Sequence, residues 1–248
     1  MRELNKVLER DEWPLENIYD IRNSMKGFNY ITSLDQIMGY YAMEIEEEDR
    51  DYLGIITPKQ IYTYNRLPQG VKIATDLYQR EMVYVFDGLE YVKVFLDDET
   101  VIGRHDFDTH IKELDEVLTR MEDAELQLNI KKTKWCADKA AVLGFIITKD
   151  GYGPDPRKIQ GLINMKSPKN KKQVRQYIRG LNFYRKLWER RSHVIAPLTD
   201  LLGDKPFKWT EIENAAFENS KSILAKETML CYPDFTKPFH LFPDASDK

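Results

Sequence analysis

An α+β fold, in which helices pack on an antiparallel sheet, is the architecture that this sequence predicts. Short runs of alternating apolar and polar residues are typical of strands, and residues 91–94 are the clearest of them. Apolar residues recur at three- and four-residue steps over residues 74–85 and 107–124, which predicts two amphipathic helices. Strands and helices therefore mix along the chain, and the short connections favour antiparallel neighbours.

The first half of the chain contains a series of short elements. A strand is expected over residues 28–34, ending at Asp35, and a short helix or irregular turn over residues 36–43. Two further short strands are expected over residues 52–57 and 61–64.

A hairpin follows the first long helix, with strands over residues 91–94 and 100–103. Residues 141–148 are predicted to form one compact strand. The prolines at 154, 156 and 168 indicate a domain boundary or hinge. Beyond them the pattern predicts helices over residues 171–190 and 215–224, and a last strand over residues 239–242.

Composition narrows the possible classes of protein. The 248 residues, of which 42% are hydrophobic and 31% charged, are typical of a globular protein of roughly one or two domains. No stretch approaches the ~20 apolar residues of a membrane helix, and the N-terminus lacks an apolar signal-peptide core. We therefore expect an intracellular protein that does not contact a membrane. Cys136 and Cys231 lie far apart without a CxxC motif, which indicates neither a disulfide framework nor a zinc site.

The hairpin carries two adjacent carboxylates, Asp97 and Asp98. Hard divalent cations prefer oxygen ligands, and two such ions ~3.5–4 Å apart can stabilise the attacking and leaving oxygens of phosphoryl transfer. Asp35, at the end of the first predicted strand, is the natural third ligand. The alternative is that Asp97 and Asp98 are ordinary turn residues, because aspartate favours turns.

The charge of −4 hides an uneven distribution. Residues 151–195 hold twelve Lys or Arg against two acidic residues, whereas residues 44–51 are acidic. On the helix predicted over residues 171–190, five basic side chains lie on the face opposite an apolar stripe. These residues are Lys172, Arg175, Arg179, Lys186 and Arg190. Such a face favours contacts with a nucleic-acid backbone, and the alternative is a merely solvated surface.

Ordered motifs extend through nearly the whole chain, and by them it resembles the reverse transcriptase of gypsy-class LTR retrotransposons and, more distantly, retroviral enzymes. The motifs are Arg2-Glu3-Leu4-Asn5, Ser33-Leu34-Asp35 with Gly39-Tyr40, Leu67-Pro68-Gln69-Gly70, Phe95-Leu96-Asp97-Asp98, Leu128-Asn129-Ile130-Lys131-Lys132, Leu143-Gly144, Gln173-Val174-Arg175, Gly180-Leu181-Asn182-Phe183-Tyr184-Arg185, Phe207-Lys208-Trp209-Thr210, Tyr232-Pro233-Asp234-Phe235 and Asp244-Ala245-Ser246.

The resemblance implies a right-hand polymerase fold. Residues 1–150 would form partial fingers and an antiparallel-sheet palm, residues 151–205 a helical thumb, and residues 206–248 a connection segment with the first strand of a truncated ribonuclease H domain. It implies an RNA- or DNA-templated DNA polymerase located in the cytoplasm or in a retroelement particle. The alternative is an inactive or domesticated remnant that binds nucleic acid or protein, suggested by the truncation at both ends and by departures from the family pattern around Tyr52 and Thr75.

The resemblance also assigns roles to side chains. Asp35 and Asp97 would bind two Mg²⁺ ions, or Mn²⁺ in their place, with Asp98 assisting. Tyr40 would exclude the 2′-hydroxyl of a ribonucleotide, and Gln69 would contact the deoxynucleoside triphosphate. Lys131 or Lys132 would lie near the leaving phosphate, and the five basic residues named above would contact the template–primer duplex. The alternatives are a core aromatic for Tyr40, a plain turn residue for Gln69 and solvated charges for the lysines.

Overall fold

The computed structural model describes residues 1–9, 11–188, 190–226, 229–234 and 236–238. The chain divides into two compact units, Met1–Lys149 and Asp150–Lys248.

The first unit is a mixed unit of helices and antiparallel strands. In chain order its elements are α1 (Leu4–Val7), α2 (Ile18–Ser24), β1 (Tyr30–Asp35), β2 (Gly54–Ile56), β3 (Ile61–Thr63), α3 (Ala74–Val85), β4 (Val92–Phe95), β5 (Asp98–Gly103), α4 (Phe107–Asp123), β6 (Lys134–Ala137), β7 (Lys139–Val142) and β8 (Phe145–Thr148), with 3-10 turns at Gly39–Ala42 and Glu47–Leu53.

A four-stranded antiparallel sheet in the order β4–β5–β1–β6 is the centre of this unit. Helices α3 and α4 cover one of its faces, because their apolar stripes and alternate strand residues form a single buried cluster. The two helices match the predicted ones, and Asp106 caps α4 by accepting a hydrogen bond from the Thr109 amide at 2.9 Å. The predicted α+β class is thus confirmed, and the sheet positions the functional side chains.

One predicted strand is wrong. Residues 141–148 do not form a single strand, because Leu143 and Gly144 turn the chain back and join β7 to β8 as an antiparallel hairpin. Both turn residues have positive φ, 48° and 83°, as a tight hairpin with right-handed twist requires. Leucine is uncommon in that conformation, so the apolar run concealed the turn. The motif Leu143-Gly144, which by resemblance belongs to a hairpin of the family, does occur in a hairpin.

The second unit is mainly helical. Its elements are β9 (Gly151–Pro154), α5 (Pro156–Ile163), α6 (Lys171–Phe183), α7 (Arg191–Asp200), α8 (Glu211–Ala225) and β10 (Leu230–Cys231), with a 3-10 turn at Arg185–Leu187. Helices α5 and α7 were not predicted. Strands β9 and β10 pair antiparallel, with Tyr152 opposite Leu230.

The helix predicted over residues 171–190 is too long. Helix α6 ends at Phe183, and the Tyr184 amide bonds the Leu181 carbonyl at 3.1 Å, which tightens the chain into the following 3-10 turn. The tighter turn places Tyr184 and Leu187 three residues apart on the buried side. Packing of these two side chains therefore ends the α-helical repeat early.

Among the residues that the structure describes, no helix combines the length and the apolar character needed to cross a membrane. The strand predicted over residues 239–242 and the Asp244-Ala245-Ser246 motif lie outside the described residues.

Candidate active site

The hairpin of β4 and β5 carries the two adjacent carboxylates. Phe95 pairs with Asp98, so that Leu96 and Asp97 form a two-residue turn between the strands. Leu96 has a φ of 58°, a conformation that few leucines adopt. Both aspartates are exposed, Asp97 in the turn and Asp98 at the first position of β5.

Asp35 joins them from the neighbouring strand. It ends β1 directly opposite Asp98 in the antiparallel register. Directly opposite residues point to the same face of a sheet, with Cβ atoms ~4.5–5.5 Å apart. The fold therefore places two of the three carboxylates predicted to bind metal opposite each other, and the third in the adjoining turn.

Helix α3 secures the hairpin through Gln79, a residue that the sequence did not single out. Its side-chain oxygen accepts a hydrogen bond from the Leu96 amide at 2.6 Å, and its nitrogen donates to the Val94 carbonyl at 3.3 Å. Gln79 is buried, so both bonds are shielded from water. One side chain thus holds the end of β4 and the first residue of the turn that presents Asp97.

The loop after α4 docks on the end of β1. The Asn129 amide donates to the Asp35 carbonyl at 2.8 Å, and the Asp35 amide donates to Thr133 Oγ1 at 3.3 Å. Within this loop, Lys132 Nζ lies 3.6 Å from Asp35 Oδ1. Lys131 is exposed as well. Among the described ion pairs, it is Lys132 and not Lys131 that contacts the Asp35 carboxylate.

Tyr40 lies in the 3-10 turn that follows β1. Its half-buried ring packs against two apolar clusters and lies 5.1 Å from the ring of Tyr78, centroid to centroid, at 55°. The ring is thus partly a core aromatic and partly accessible. Both alternatives raised by the sequence are compatible with this position.

Gln69 is exposed in a loop fastened by its neighbours. Asn5 donates from Nδ2 to the Gly70 carbonyl at 2.8 Å and accepts at Oδ1 from the Lys72 amide at 2.8 Å. Gly70 has a φ of 93°, which glycine adopts without steric cost. The described hydrogen bonds and ion pairs do not connect Gln69 to Asp35.

A buried polar chain lies behind the carboxylates. Tyr78 donates its hydroxyl proton to Gln36 Oε1, and Gln36 Nε2 donates to Glu99 Oε1 at 2.7 Å. Burial, then repulsion by Asp98, raises the pKa of the Glu99 carboxyl well above its usual range. Burial, followed by the nearby Glu99 charge, also raises the pKa of the Tyr78 hydroxyl.

The chemistry of the carboxylates suits Mg²⁺. Among the described residues, no three His, Cys, Asp or Glu side chains form a group that could by itself hold a metal ion. Mg²⁺ usually keeps several waters and binds through one or two carboxylates together with substrate phosphates, so the opposed pair Asp35 and Asp98 fits its chemistry without a third protein ligand. The Lys132 ammonium places a positive charge beside the Asp35 carboxylate.

The predicted basic face lies in the second unit. Lys172, Arg175 and Arg179 are exposed on α6 at helical spacing. Lys186 lies in the following 3-10 turn and Arg190 at the start of α7, both exposed, so these two do not share the helical face that the sequence predicted.

A helix-covered antiparallel sheet with carboxylates in register on adjacent strands defines the palm class of nucleotide polymerases. The family profile described as "Reverse transcriptase (RNA-dependent DNA polymerase)" matches residues 1–147. The chain belongs to this reverse transcriptase family.

Relatives from transposons match almost the whole chain. It is 33% identical to the retrovirus-related Pol polyprotein from transposon 412 of Drosophila melanogaster over 99% of its length, and 29% identical to that from transposon gypsy over 99%. These matches cover 20% and 25% of the two polyproteins. The chain thus spans about a quarter or less of these curated relatives.

Solved structures show the same fold. The foamy viral protease-reverse transcriptase in complex with RNA/DNA hybrid superposes with a TM-score of 0.83 and 22% identity, over 92% of this chain and 31% of that one. The complex of that enzyme with dsDNA gives a TM-score of 0.87 and 22% identity, over 96% of this chain and 50% of that one. The right-hand polymerase fold expected from the sequence is confirmed.

Proposed function

We propose that the chain is the polymerase part of a retroelement reverse transcriptase, which adds deoxynucleotides to a primer 3′-hydroxyl on an RNA or DNA template. The observation that carries this proposal is the register of Asp35 and Asp98 with Asp97 in the adjoining turn. In the reaction the primer 3′-hydroxyl gives its proton to solvent and its oxygen bonds to the α-phosphorus of a deoxynucleoside triphosphate, while the bond from that phosphorus to pyrophosphate breaks.

Each side chain has a part in this proposal. Asp35 and Asp97, with Asp98 assisting, would hold two divalent ions, Mg²⁺ or Mn²⁺, through their carboxylate oxygens. When bound, such ions stabilise charge on the attacking and leaving oxygens. Lys132 carries a proton that it can give to the leaving pyrophosphate, and Tyr40 lies against the sugar.

The two units have separate parts. The first unit corresponds to fingers and palm, and the second to thumb and connection. Lys172, Arg175, Arg179, Lys186 and Arg190 neutralise backbone phosphates of the template–primer in a sequence-independent way. The foamy viral complexes with RNA/DNA hybrid and with dsDNA support such a partner, because they share the fold.

Primer extension with Mg²⁺ tests the proposal. Asp97→Asn should lower kcat by at least about 100-fold, as expected when several kcal/mol of charge stabilisation are lost. Asp123→Asn, an exposed aspartate at the end of α4, is the matched control and should keep normal activity. Undiminished extension by Asp97→Asn would show that the site is misassigned.

Filter binding to template–primer, measured beside extension, separates the alternative. Tight binding without any extension by the unmodified chain would favour a non-catalytic remnant that binds nucleic acid.

A further inference from the structure

Three polar side chains form a hydrogen-bonded chain beneath the carboxylates. Tyr78 comes from α3, Gln36 from the residue after β1, and Glu99 from β5. Tyr78 and Glu99 are fully buried, and Gln36 is half-buried between them. The central amide uses both of its ends, since Oε1 accepts from the Tyr78 hydroxyl and Nε2 donates to Glu99 Oε1 at 2.7 Å.

The surroundings of this chain are apolar. Leu34, Met82, Val94 and Val101 belong to the same buried cluster as Tyr78. A buried polar group left without a partner costs ~1–3 kcal/mol, and apolar side chains of similar shape would fill such a position without that cost. The second carboxylate oxygen of Glu99, Oε2, is buried without a hydrogen bond from another described residue. Stability alone therefore does not account for three polar residues here.

Every member of the chain adjoins a residue of the candidate site. Gln36 directly follows Asp35, and Glu99 directly follows Asp98. The amide between them therefore ties the ends of two neighbouring strands on the side opposite the exposed carboxylates.

Tyr78 connects the hydrogen-bonded chain to Tyr40. Their ring centroids are 5.1 Å apart, and a Cβ added to Gly39 would lie 3.0 Å from the Tyr78 hydroxyl oxygen. The segment that carries Tyr40 thus rests directly on the Tyr78 ring, whose hydroxyl is anchored by Gln36. Any rotation of the Tyr78 ring would move the surface on which Tyr40 lies.

We infer that Tyr78, Gln36 and Glu99 are positioning residues that hold the Tyr40 ring in fixed register with the strand ends bearing Asp35 and Asp98. The network thereby determines how strictly the site selects deoxyribose over ribose. This inference rests on the proposed polymerase function and adds three residues that no motif marks.

Removing one hydroxyl tests the inference. Tyr78→Phe should lower the ratio of kcat/KM for a deoxynucleotide over the matching ribonucleotide by about tenfold, since small displacements in a site have large effects on rate. We expect most of the change in KM, because the carboxylates stay in place. Tyr177→Phe is the matched control, since its buried hydroxyl shares a hydrogen bond with Ser220 in the second unit. The control should lose similar thermal stability and keep its sugar selection.

Glu99, at the other end of the hydrogen-bonded chain, gives a second pair of variants. Glu99→Gln keeps an oxygen that can accept from Gln36 Nε2 and should retain sugar selection, whereas Glu99→Leu removes the acceptor and should behave as Tyr78→Phe does. Equal selection ratios in Tyr78→Phe, Glu99→Leu and the unmodified chain, with extension intact, would overturn the inference and leave the proposed function standing.

A stability measurement distinguishes the two kinds of failure. Tyr78→Phe and Glu99→Leu should be non-additive in urea unfolding, because Gln36 connects residues that do not hydrogen-bond to each other. Additive effects would overturn the network itself. If the unmodified protein extends no primer, the proposed function and the sugar-selection role both fail. Non-additive effects of the two substitutions on stability would then show that the hydrogen-bonded network exists and that the proposed function is what failed.

Discussion

Asp35 and Asp98 lie directly opposite each other on β1 and β5, so two like charges share one face of the sheet. Such a cross-strand pair destabilises a fold by up to ~1 kcal/mol. The Lys132 ammonium beside Asp35 offsets part of this repulsion. A divalent cation bound as we propose would relieve it further.

Mg²⁺ should stabilise the chain against thermal unfolding. At ten times its Kd a ligand that binds only the folded state adds about 1.4 kcal/mol, so the melting temperature should rise with Mg²⁺ concentration. The double variant Asp35→Asn, Asp98→Asn should not respond, which calorimetry can measure. An equal rise in both proteins would mean that Mg²⁺ binds elsewhere.

Gln79 should matter for activity more than its distance from the chemistry suggests. Gln79→Met removes the acceptor of the Leu96 amide, so the turn bearing Asp97 loosens and kcat should fall by roughly ten- to a hundredfold. Gln173→Met is the matched control, because Gln173 Oε1 accepts the Lys169 amide at 2.7 Å in the second unit. Steady-state extension kinetics compare the two, and similar small losses would contradict a positioning role for Gln79.

Lys132 should compete with divalent cations for Asp35. Lys132→Met removes a positive charge 3.6 Å from the carboxylate, and Mn²⁺ should then bind more tightly in a titration of the free protein. The effect should stay below about tenfold, because the pair is exposed and screened by water. Lys131→Met serves as control and should leave Mn²⁺ affinity unchanged; a shift of the same size in both variants would indicate a general charge effect.

Asp155 should make the stability of the second unit depend on pH. Its buried carboxylate caps α5 and accepts from the Arg157 side chain at 2.8 and 3.1 Å, and this hydrogen bonding, then the Arg157 amide, lowers its pKa below the ordinary 3.8. A lowered pKa in the folded state means that the stabilisation is present above pH ~4 and is lost as pH falls through the folded value.

Asp155→Asn keeps an oxygen that can cap α5 and removes the negative charge beside Arg157, so it should cost about 0.2–1 kcal/mol of unfolding free energy at pH 7, the usual value of a partly exposed ion pair. Urea unfolding at pH 7 and pH 3 should show the difference from the unmodified chain shrinking at the lower pH. A difference that stays constant between these pH values would exclude the ionised carboxylate as its cause.

The basic face of α6 should govern affinity for template–primer. Replacing Lys172, Arg175 and Arg179 by Ala should weaken binding across all duplex sequences, and the slope of log K against log salt should fall by about one for each phosphate that is no longer neutralised. Lys205→Ala, an exposed lysine outside α6, is the control for charge alone. An unchanged salt slope in the triple variant would place the duplex on another surface.

Local sequence pattern predicted a large part of the fold. The periodicity of α3 and α4 and the alternation in β4 depend on residues close together in the chain, and these elements occur where they were expected. The pattern failed where backbone conformation overrode composition, as at Leu143, whose φ of 48° opens a hairpin inside an apolar run. It failed again after Phe183, where burial of Tyr184 and Leu187 ends α6.

By itself the sequence determined the family, through ordered motifs, and nominated the carboxylates Asp35, Asp97 and Asp98. Only the tertiary structure decided that Asp35 meets Asp98 in register, that Gln79 grips the turn at Leu96, and that Tyr78, Gln36 and Glu99 connect beneath the site. The physical reason is that these contacts join residues up to 63 positions apart, whose distances follow from strand pairing and helix packing rather than from any local pattern.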